Sequence, residues 1–234
     1  FLKLLRSSLA LLEQAQRKFT PKNIIEVYYP PIFIIGPPRS GTTLLYQLMV
    51  HHFHLAYFSG IANGLYTSPV LATKWGLKHY KPYVSDFTSN YGKINDPIAP
   101  HEAGEIWNRW YPTEYGHGYN YTPAGCFDAK TKHIIYQTVA DVERLFGAPF
   151  INKNVKHSVR VQSLVEIFPK ALFLQIKRDV FNAANSILRG RKQNHGNIDA
   201  WFSVMPSNFR LKNCMNIPLT FLMIILIIRN VRKN

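Results

Sequence analysis

Runs of apolar and polar residues alternate along this chain in a pattern typical of α/β proteins. Short apolar runs predict strands in three places, at 32–35, 149–154 and 171–179. Apolar residues at helical spacing predict helices after these strands, at 42–50, 157–168 and 180–191, and another helix at 135–146. Strands that alternate with helices favour a parallel sheet covered on both faces, so we expect a three-layer α/β/α fold.

The two ends of the chain depart from this pattern and leave 30–205 as the predicted α/β domain. Residues 1–29 predict an amphipathic helix and a linker, and we expect the helix to pack on the domain or lie at an interface rather than act as a targeting peptide. Residues 206–234 form an atypical tail whose apolar run, 217–228, is shorter than the roughly 20 residues of a spanning helix. A buried strand, an interfacial segment and the end of a truncated chain are all open interpretations of it.

The segment 51–125 shows little periodicity and is rich in aromatic residues, glycine, proline and histidine. We expect it to form helices and loops that wall an acceptor site. His51, His52 and His54 resemble a metal cluster, but no distant carboxylate or cysteine completes it, so we expect surface residues and no metal.

Composition narrows the function classes without choosing among them. The chain has 234 residues, 47% of them hydrophobic, and 28 Lys plus Arg against 13 Asp plus Glu give a net charge of +15. Such a surplus favours anionic partners, namely nucleic acid, an acidic membrane or a phosphorylated small molecule. Cys126 and Cys214 have neither metal-ligand spacing nor the pattern of a disulfide framework.

The strand at 32–35 leads into a glycine-containing loop and a helix, which is the arrangement of a phosphate-binding loop. Backbone N–H groups at the start of the helix, with the helix dipole, would hold an anionic group. The nucleotide-triphosphatase form of the loop has a lysine after its last glycine, whereas here a threonine follows Gly41 and the cation is Arg39. The predicted phosphate-binding residues are Pro38, Arg39, Ser40, Gly41, Thr42 and Thr43.

A second anion site is predicted where the strand at 171–179 ends. Arg178 follows its apolar run, and Ser186 lies eight residues later in the next helix. An arginine at the carboxyl end of a strand and a hydroxyl from the next helix can hold a second phosphate at the open edge of the sheet.

The two sites in this order resemble the sulfotransferase family that uses 3′-phosphoadenosine-5′-phosphosulfate (PAPS) as donor. The family's 5′-phosphosulfate loop lacks the triphosphatase lysine and ends Arg/Lys-Ser-Gly-Thr-Thr, as residues 39–43 do. Its 3′-phosphate motif is an arginine with a serine eight residues on, which Arg178 and Ser186 match. Residues 152–161 are similar to the Asn-Lys-x-Pro segment of the bacterial-type and tyrosylprotein branches, with Lys153 as the lysine and Val155 in place of the proline.

The resemblance implies transfer of a sulfuryl group from PAPS to a hydroxyl or amine, without a metal. Arg39 and Lys153 are the cations it implies. The tyrosylprotein relatives have a glutamate shortly after the loop helix, which this chain lacks, so we take Glu102 as the base and His101 as its alternative. Acids at the start of a helix, near the positive end of its dipole, are the other explanation of this segment.

Two other functions remain alternatives. A nucleotide-dependent phosphotransferase would need the loop lysine, and a non-catalytic basic binder of membrane or nucleic acid would use the +15 charge. We expect a small-molecule, glycan or lipid acceptor and no specific nucleic-acid partner. A cytoplasmic location is expected, with peripheral membrane contact through the N-terminal helix or the C-terminal tail as an alternative.

Overall fold

Parallel strand pairing organises the fold around its first strand. The computed structural model describes residues 6–13, 27–89, 92, 94–111 and 121–197. Its strands are β1 (Ile32–Ile35), β2 (Ile151–Lys153) and β3 (Leu172–Gln175), which form a sheet in the order β2-β1-β3. Both pairings are parallel, so the predicted α/β class with a parallel sheet is confirmed.

Helices connect and cover the strands. Residues 6–13 form α1. The helices that follow are α2 (Thr42–His52), α3 (Gly60–Gly64), α4 (Pro69–His79), α5 (Gly104–Asn108), α6 (Ala129–Phe146), α7 (Val161–Ile167) and α8 (Val180–His195). A 3-10 helix, Val155–Val159, joins β2 to α7.

The strand register brings the functional segments to one edge of the sheet. On one side of β1, Ile34 pairs with Lys153, and on the other side Ile35 pairs with Gln175. Because all three strands run in the same direction, the loop after β1, the residues after β2 and those after β3 leave the same edge.

Successive residues of β1 point into two different cores, as alternation along a strand requires. Phe33 lies in a large cluster with Phe58, Trp107 and Phe150, all fully buried. Ile34 lies in a second cluster beside α2, with Tyr46, Leu55, Tyr57 and Ile151. The central strand is therefore covered on both faces.

Several predicted boundaries differ from the observed ones. The helix predicted at 157–168 begins only at Val161, because the Asn154 side chain accepts a hydrogen bond from the Lys156 N–H and starts the 3-10 turn instead. α6 begins at Ala129, six residues before the prediction, since Asp128 caps it through the Thr131 N–H. β3 ends at Gln175, and the charged residues up to 179 lie outside the strand.

The N-terminal helix packs on the domain along its described part. Arg6 donates hydrogen bonds to the Gly64 carbonyl at the end of α3, and the buried Glu13 carboxylate accepts one from the Leu71 N–H in α4. The predicted tail, 206–234, lies outside the described residues. Within those residues, no helix is long and apolar enough to cross a membrane.

His157 is a buried polar residue at the centre of the larger core. Its ring packs edge-on against Trp107, with 4.7 Å between ring centroids, and against Phe33 at 5.4 Å. Its Nε2 donates to Asn152 Oδ1 at 3.0 Å; that oxygen also accepts from Trp107 Nε1, which identifies it as the acceptor. Burial lowers the pKa of His157 well below 6.5, and the nearby Arg160 guanidinium lowers it further.

We predict that His157 makes the protein less stable in mild acid. Below about pH 6.5 the unfolded chain binds a proton at this imidazole that the native protein excludes, so the free energy of unfolding should fall by about 1.4 kcal/mol per pH unit. Urea unfolding between pH 7 and pH 5 measures this slope. His157→Gln keeps a donor for Asn152, and its slope should be smaller by about 1.4 kcal/mol per pH unit. An unchanged slope would show that His157 does not cause the loss of stability in acid.

Candidate active site

The loop between β1 and α2 is held close to the rest of the sheet edge by Gly36. A Cβ on this residue would lie 3.0 Å from Ser40 Oγ and 3.1 Å from the Ile176 carbonyl oxygen, so a side chain would require these neighbours to move. The Ser158 hydroxyl accepts from the Gly36 N–H at 3.1 Å and donates to the Gly36 carbonyl at 3.2 Å. These contacts tie the start of the loop to the segment after β2.

Strained backbone lies on both sides of the site. Among the described residues, positive φ occurs at three non-glycine positions, and two of them are Arg39 (66°) and Ala103 (56°). This conformation is uncommon outside glycine and costs of order 1–3 kcal/mol. Arg39 is in the loop and Ala103 directly follows Glu102, so the strain falls on the two segments that the sequence analysis selected.

Ser40 has a hydroxyl that a phosphate or sulfate group at this loop would satisfy. Its hydroxyl is buried and has no hydrogen-bond partner among the described residues. A buried polar atom without a partner costs about 1–3 kcal/mol, which an anionic oxygen bound at this loop would recover. Gly41, with φ 98°, then opens α2, and no side chain caps this helix end. Its N-terminal N–H groups therefore have the arrangement that binds anions.

The structure brings the second predicted anion site into contact with the first. Arg39 Nε donates to Ser186 Oγ in α8 at 3.0 Å, and Arg178 donates to the Arg39 carbonyl oxygen. Asp179 caps α8 by accepting from the Asn182 N–H at 2.9 Å, which fixes the turn between Arg178 and the helix. The two motifs, 147 residues apart at Arg39 and Ser186, thus form one continuous patch.

β2 places Lys153 beside Glu102. The Lys153 side chain is 2% exposed, and its Nζ forms an ion pair with Glu102 Oε1. The residues on either side of the lysine hold the same partner segment, because Asn152 Nδ2 donates to the His101 carbonyl at 3.2 Å and Asn154 Nδ2 to the Glu102 carbonyl at 3.0 Å. Three consecutive residues of one strand end therefore fix the position of the Glu102 carboxylate.

Glu102 is not part of a helix start. α5 begins at Gly104, and the acid in its first turn is Glu105, whose N–H donates to Asn63 Oδ1 at 2.9 Å. The explanation of this segment by helix-end acids therefore applies to Glu105, whereas Glu102 lies before the helix and pairs with Lys153. The half-buried Lys156 adds positive charge here, and burial, with Arg160, lowers its pKa.

His101 lies next to the pair, but its ring is oriented by the backbone. Its Nδ1 accepts a hydrogen bond from the Ala103 N–H at 2.9 Å, so in the neutral ring the proton is on Nε2. Burial lowers the pKa of His101, an effect that Glu102 opposes and Lys153 reinforces. A neutral imidazole whose only lone pair is already used is a poor proton acceptor, so the geometry favours Glu102 over His101 as base.

The residues that sequence reasoning did not select are Asn152, Asn154 and Ser158. The two asparagines lie on either side of Lys153, which belongs to a motif visible in the sequence. That position was the signal that could have found them. Ser158 gave no signal, because a serine in a 3-10 turn is common and only the fold places it against Gly36. His51 and His52 are exposed at the end of α2, and the described residues contain no cluster of three metal-binding side chains.

Comparisons with known proteins agree with this geometry. A family model described as sulfotransferase family matches residues 30–205. Two curated relatives are the omega-hydroxy-beta-dihydromenaquinone-9 sulfotransferases of Mycobacterium bovis and Mycobacterium tuberculosis. Each is 28% identical over 175 residues, which cover 65% of this chain and 42% of the relative, so the chain spans less than half the length of these proteins. No solved structure matches the chain.

The matched region contains every part of the candidate site, from the loop after β1 to Ser186 in α8. Because this family model covers most of the chain, the chain belongs to the sulfotransferase family.

Proposed function

We propose that this chain transfers a sulfuryl group from PAPS to a hydroxyl or amine of its acceptor. The observation that carries the proposal is the contact between Arg39, Ser186 and Arg178, next to the Lys153–Glu102 pair. A donor with a 5′-phosphosulfate and a 3′-phosphate requires two neighbouring anion sites. This sheet edge carries two groups of residues that would serve as such sites, and Lys153 at the end of β2 pairs beside them with Glu102 from the segment before α5.

Each anion site has its own donors. The loop would hold the 5′-phosphosulfate through the N–H groups at the start of α2, the Ser40 hydroxyl and the Arg39 guanidinium. Arg178 and Ser186 would hold the 3′-phosphate. Arg178 is exposed and would supply a permanently charged donor. Ser186 accepts a hydrogen bond from Arg39, so the two proposed phosphate sites are in direct contact.

The residues of β2 and of the segment before α5 would carry the chemistry. PAPS supplies an activated sulfuryl group whose leaving group is a phosphate. In the transfer, the acceptor oxygen or nitrogen forms a bond to sulfur, the bond from sulfur to the bridging oxygen breaks, and adenosine 3′,5′-bisphosphate leaves with that electron pair. Glu102 would take the proton of the acceptor, while Lys153 would stabilise the negative charge that develops at the bridging oxygen.

The acceptor that we propose carries its hydroxyl on an apolar group. The two mycobacterial relatives are named for a hydroxylated menaquinone. In this chain, the aromatic-rich segment 51–125 contributes Tyr57, Tyr80 and Tyr83 to the lining of a cavity on the α2 side of the sheet. The +15 charge of the chain would favour an acceptor at an anionic membrane surface. The chain would reach such an acceptor through peripheral contact with the membrane.

The first prediction from the proposed function concerns donor selectivity. Calorimetry should show that adenosine 3′,5′-bisphosphate binds much more tightly than adenosine 5′-monophosphate. A charged hydrogen bond contributes roughly 1.5–3 kcal/mol, so Arg178→Ala should remove about a tenfold to hundredfold preference.

Lys192→Ala is the matched control for Arg178→Ala. It removes one positive charge from the last turn of α8, away from the proposed contacts, and should keep the preference. Equal affinity of the unmodified chain for both nucleotides, or tighter binding of ATP with magnesium, would contradict the proposed donor.

The second prediction assigns the base. Glu102→Gln keeps an oxygen that can accept from Lys153 Nζ but removes the ability to take a proton. Turnover should fall by about 10²- to 10⁴-fold while the affinity for adenosine 3′,5′-bisphosphate is unchanged.

The comparison variant is His101→Asn, because an asparagine oxygen can still accept from the Ala103 N–H and preserve the turn. This variant should keep most of the turnover. A silent Glu102→Gln together with an inactive His101→Asn would transfer the role to the imidazole.

A further inference from the structure

A cavity of about 230 Å³ lies on the α2 side of the sheet. Its lining includes His54 and Lys81 but is otherwise neutral. The apolar part of the lining comes from α2, from the extended segment 55–59, from α4 and from the residues that follow it, and includes Val50, Leu55, Tyr57, Leu77, Tyr80 and Ile98. Lined in this way, the cavity suits a hydrocarbon group.

The extended segment connects this cavity to the candidate active site. Ala56 forms a parallel bridge with Phe150, and the Ile151 N–H donates to the Ala56 carbonyl at 2.8 Å, so residues 55–58 run beside β2. The cavity wall at Leu55 and Tyr57, on either side of Ala56, is therefore tied to the start of β2, the strand that ends at Lys153.

A second connection runs through the chain from Ile98 to Glu102. Ser59 forms an antiparallel bridge with Pro100, and the His101 N–H donates to the Phe58 carbonyl at 2.8 Å. Ile98 lines the cavity, and Glu102 lies four residues later. The wall of the cavity and the segment that carries the proposed base are therefore one hydrogen-bonded unit.

The side chains agree with this placement. Ile34, Ile151 and Tyr57 belong to the cluster beside α2. Alternation along β2 puts the Lys153 side chain on the same face of the sheet as Ile151. In that cluster, burial raises the pKa of Tyr46, and both Tyr57 and Glu102 raise it further.

We infer that this cavity binds the hydrocarbon part of the acceptor, with the hydroxyl presented at the Ser59 end toward Lys153 and Glu102. The inference rests on the proposed sulfuryl transfer and specifies the acceptor class as an aliphatic alcohol. At about 230 Å³ the cavity is smaller than the roughly 300–1,000 Å³ of sites that enclose a whole drug-sized ligand. It would therefore hold the hydrocarbon segment next to the hydroxyl and not a complete large acceptor.

A series of linear alcohols tests the inference on the whole chain. Binding of 1-butanol, 1-hexanol and 1-octanol is measured by calorimetry in the presence of adenosine 3′,5′-bisphosphate. Affinity should rise about fourfold for each added CH₂ if the chain enters an apolar cavity. Affinity that does not depend on chain length would overturn the inference.

Two substitutions in α2 locate the binding site. Val50→Phe adds bulk inside the cavity and should weaken 1-octanol binding by about tenfold or more. Leu48→Phe makes a similar change two residues earlier, at a side chain that is 37% exposed and outside the lining, and should leave binding unchanged. If Val50→Phe does not fold, Leu77→Asn replaces it, because Leu77 lines the cavity and is 46% exposed; Leu48→Asn is then the control.

Binding of adenosine 3′,5′-bisphosphate distinguishes a failure of the cavity inference from a failure of the proposed function. If the unmodified chain binds it but the cavity variant and its control bind 1-octanol equally, the inference is wrong and the proposed function stands. If the unmodified chain does not bind it, the proposed donor site is wrong and the inference fails with it.

Discussion

The pairing of β1 with a parallel strand on each of its edges is the constraint on which the candidate site depends. Parallel strands end at a common edge, so the loop after β1 meets the lysine at the end of β2 on one side and the arginine after β3 on the other. A reversed β3 would send Arg178 to the opposite edge, more than a strand length away from Arg39. The backbone hydrogen bonds of a short sheet thus determine which charged side chains can meet.

This edge is energetically costly and is supported by the cores on both faces. Lys153 is almost completely buried, and a buried charge is tolerated only when it is paired. Glu102 forms that ion pair. The positive φ angles of Arg39 and Ala103 add strain. The cluster around Phe33 and Trp107 holds the strands in place while these unfavourable groups converge. The residues of the candidate site therefore lie at the sheet edge, whereas the hydrophobic clusters on the faces of the sheet stabilise the fold.

The sequence carried the alternation of strands and helices and the two anion-binding motifs, because these depend on local spacing. It could not supply the contact between Arg39 and Ser186, since no local pattern records which distant segments meet. The same limit applies to Ser158, whose role follows only from its position against Gly36. Glu102 was an intermediate case: its chemical type was visible in the sequence, but its separation from the helix-start acid Glu105 needed the structure.

The long sequence separation of the site's parts affects how the protein folds. Arg39 and Ser186 are 147 residues apart, and Lys153 and Glu102 are 51 apart, so the site closes only after non-local contacts form. Contacts of this kind slow folding, because the entropy of a long loop is lost before the contact forms. During synthesis, the loop after β1 leaves the ribosome well before α8 exists. Until α8 docks, Arg39 in this loop lacks Ser186, its partner in the folded chain, and the loop presents an open anion-binding surface to the surrounding polyanions.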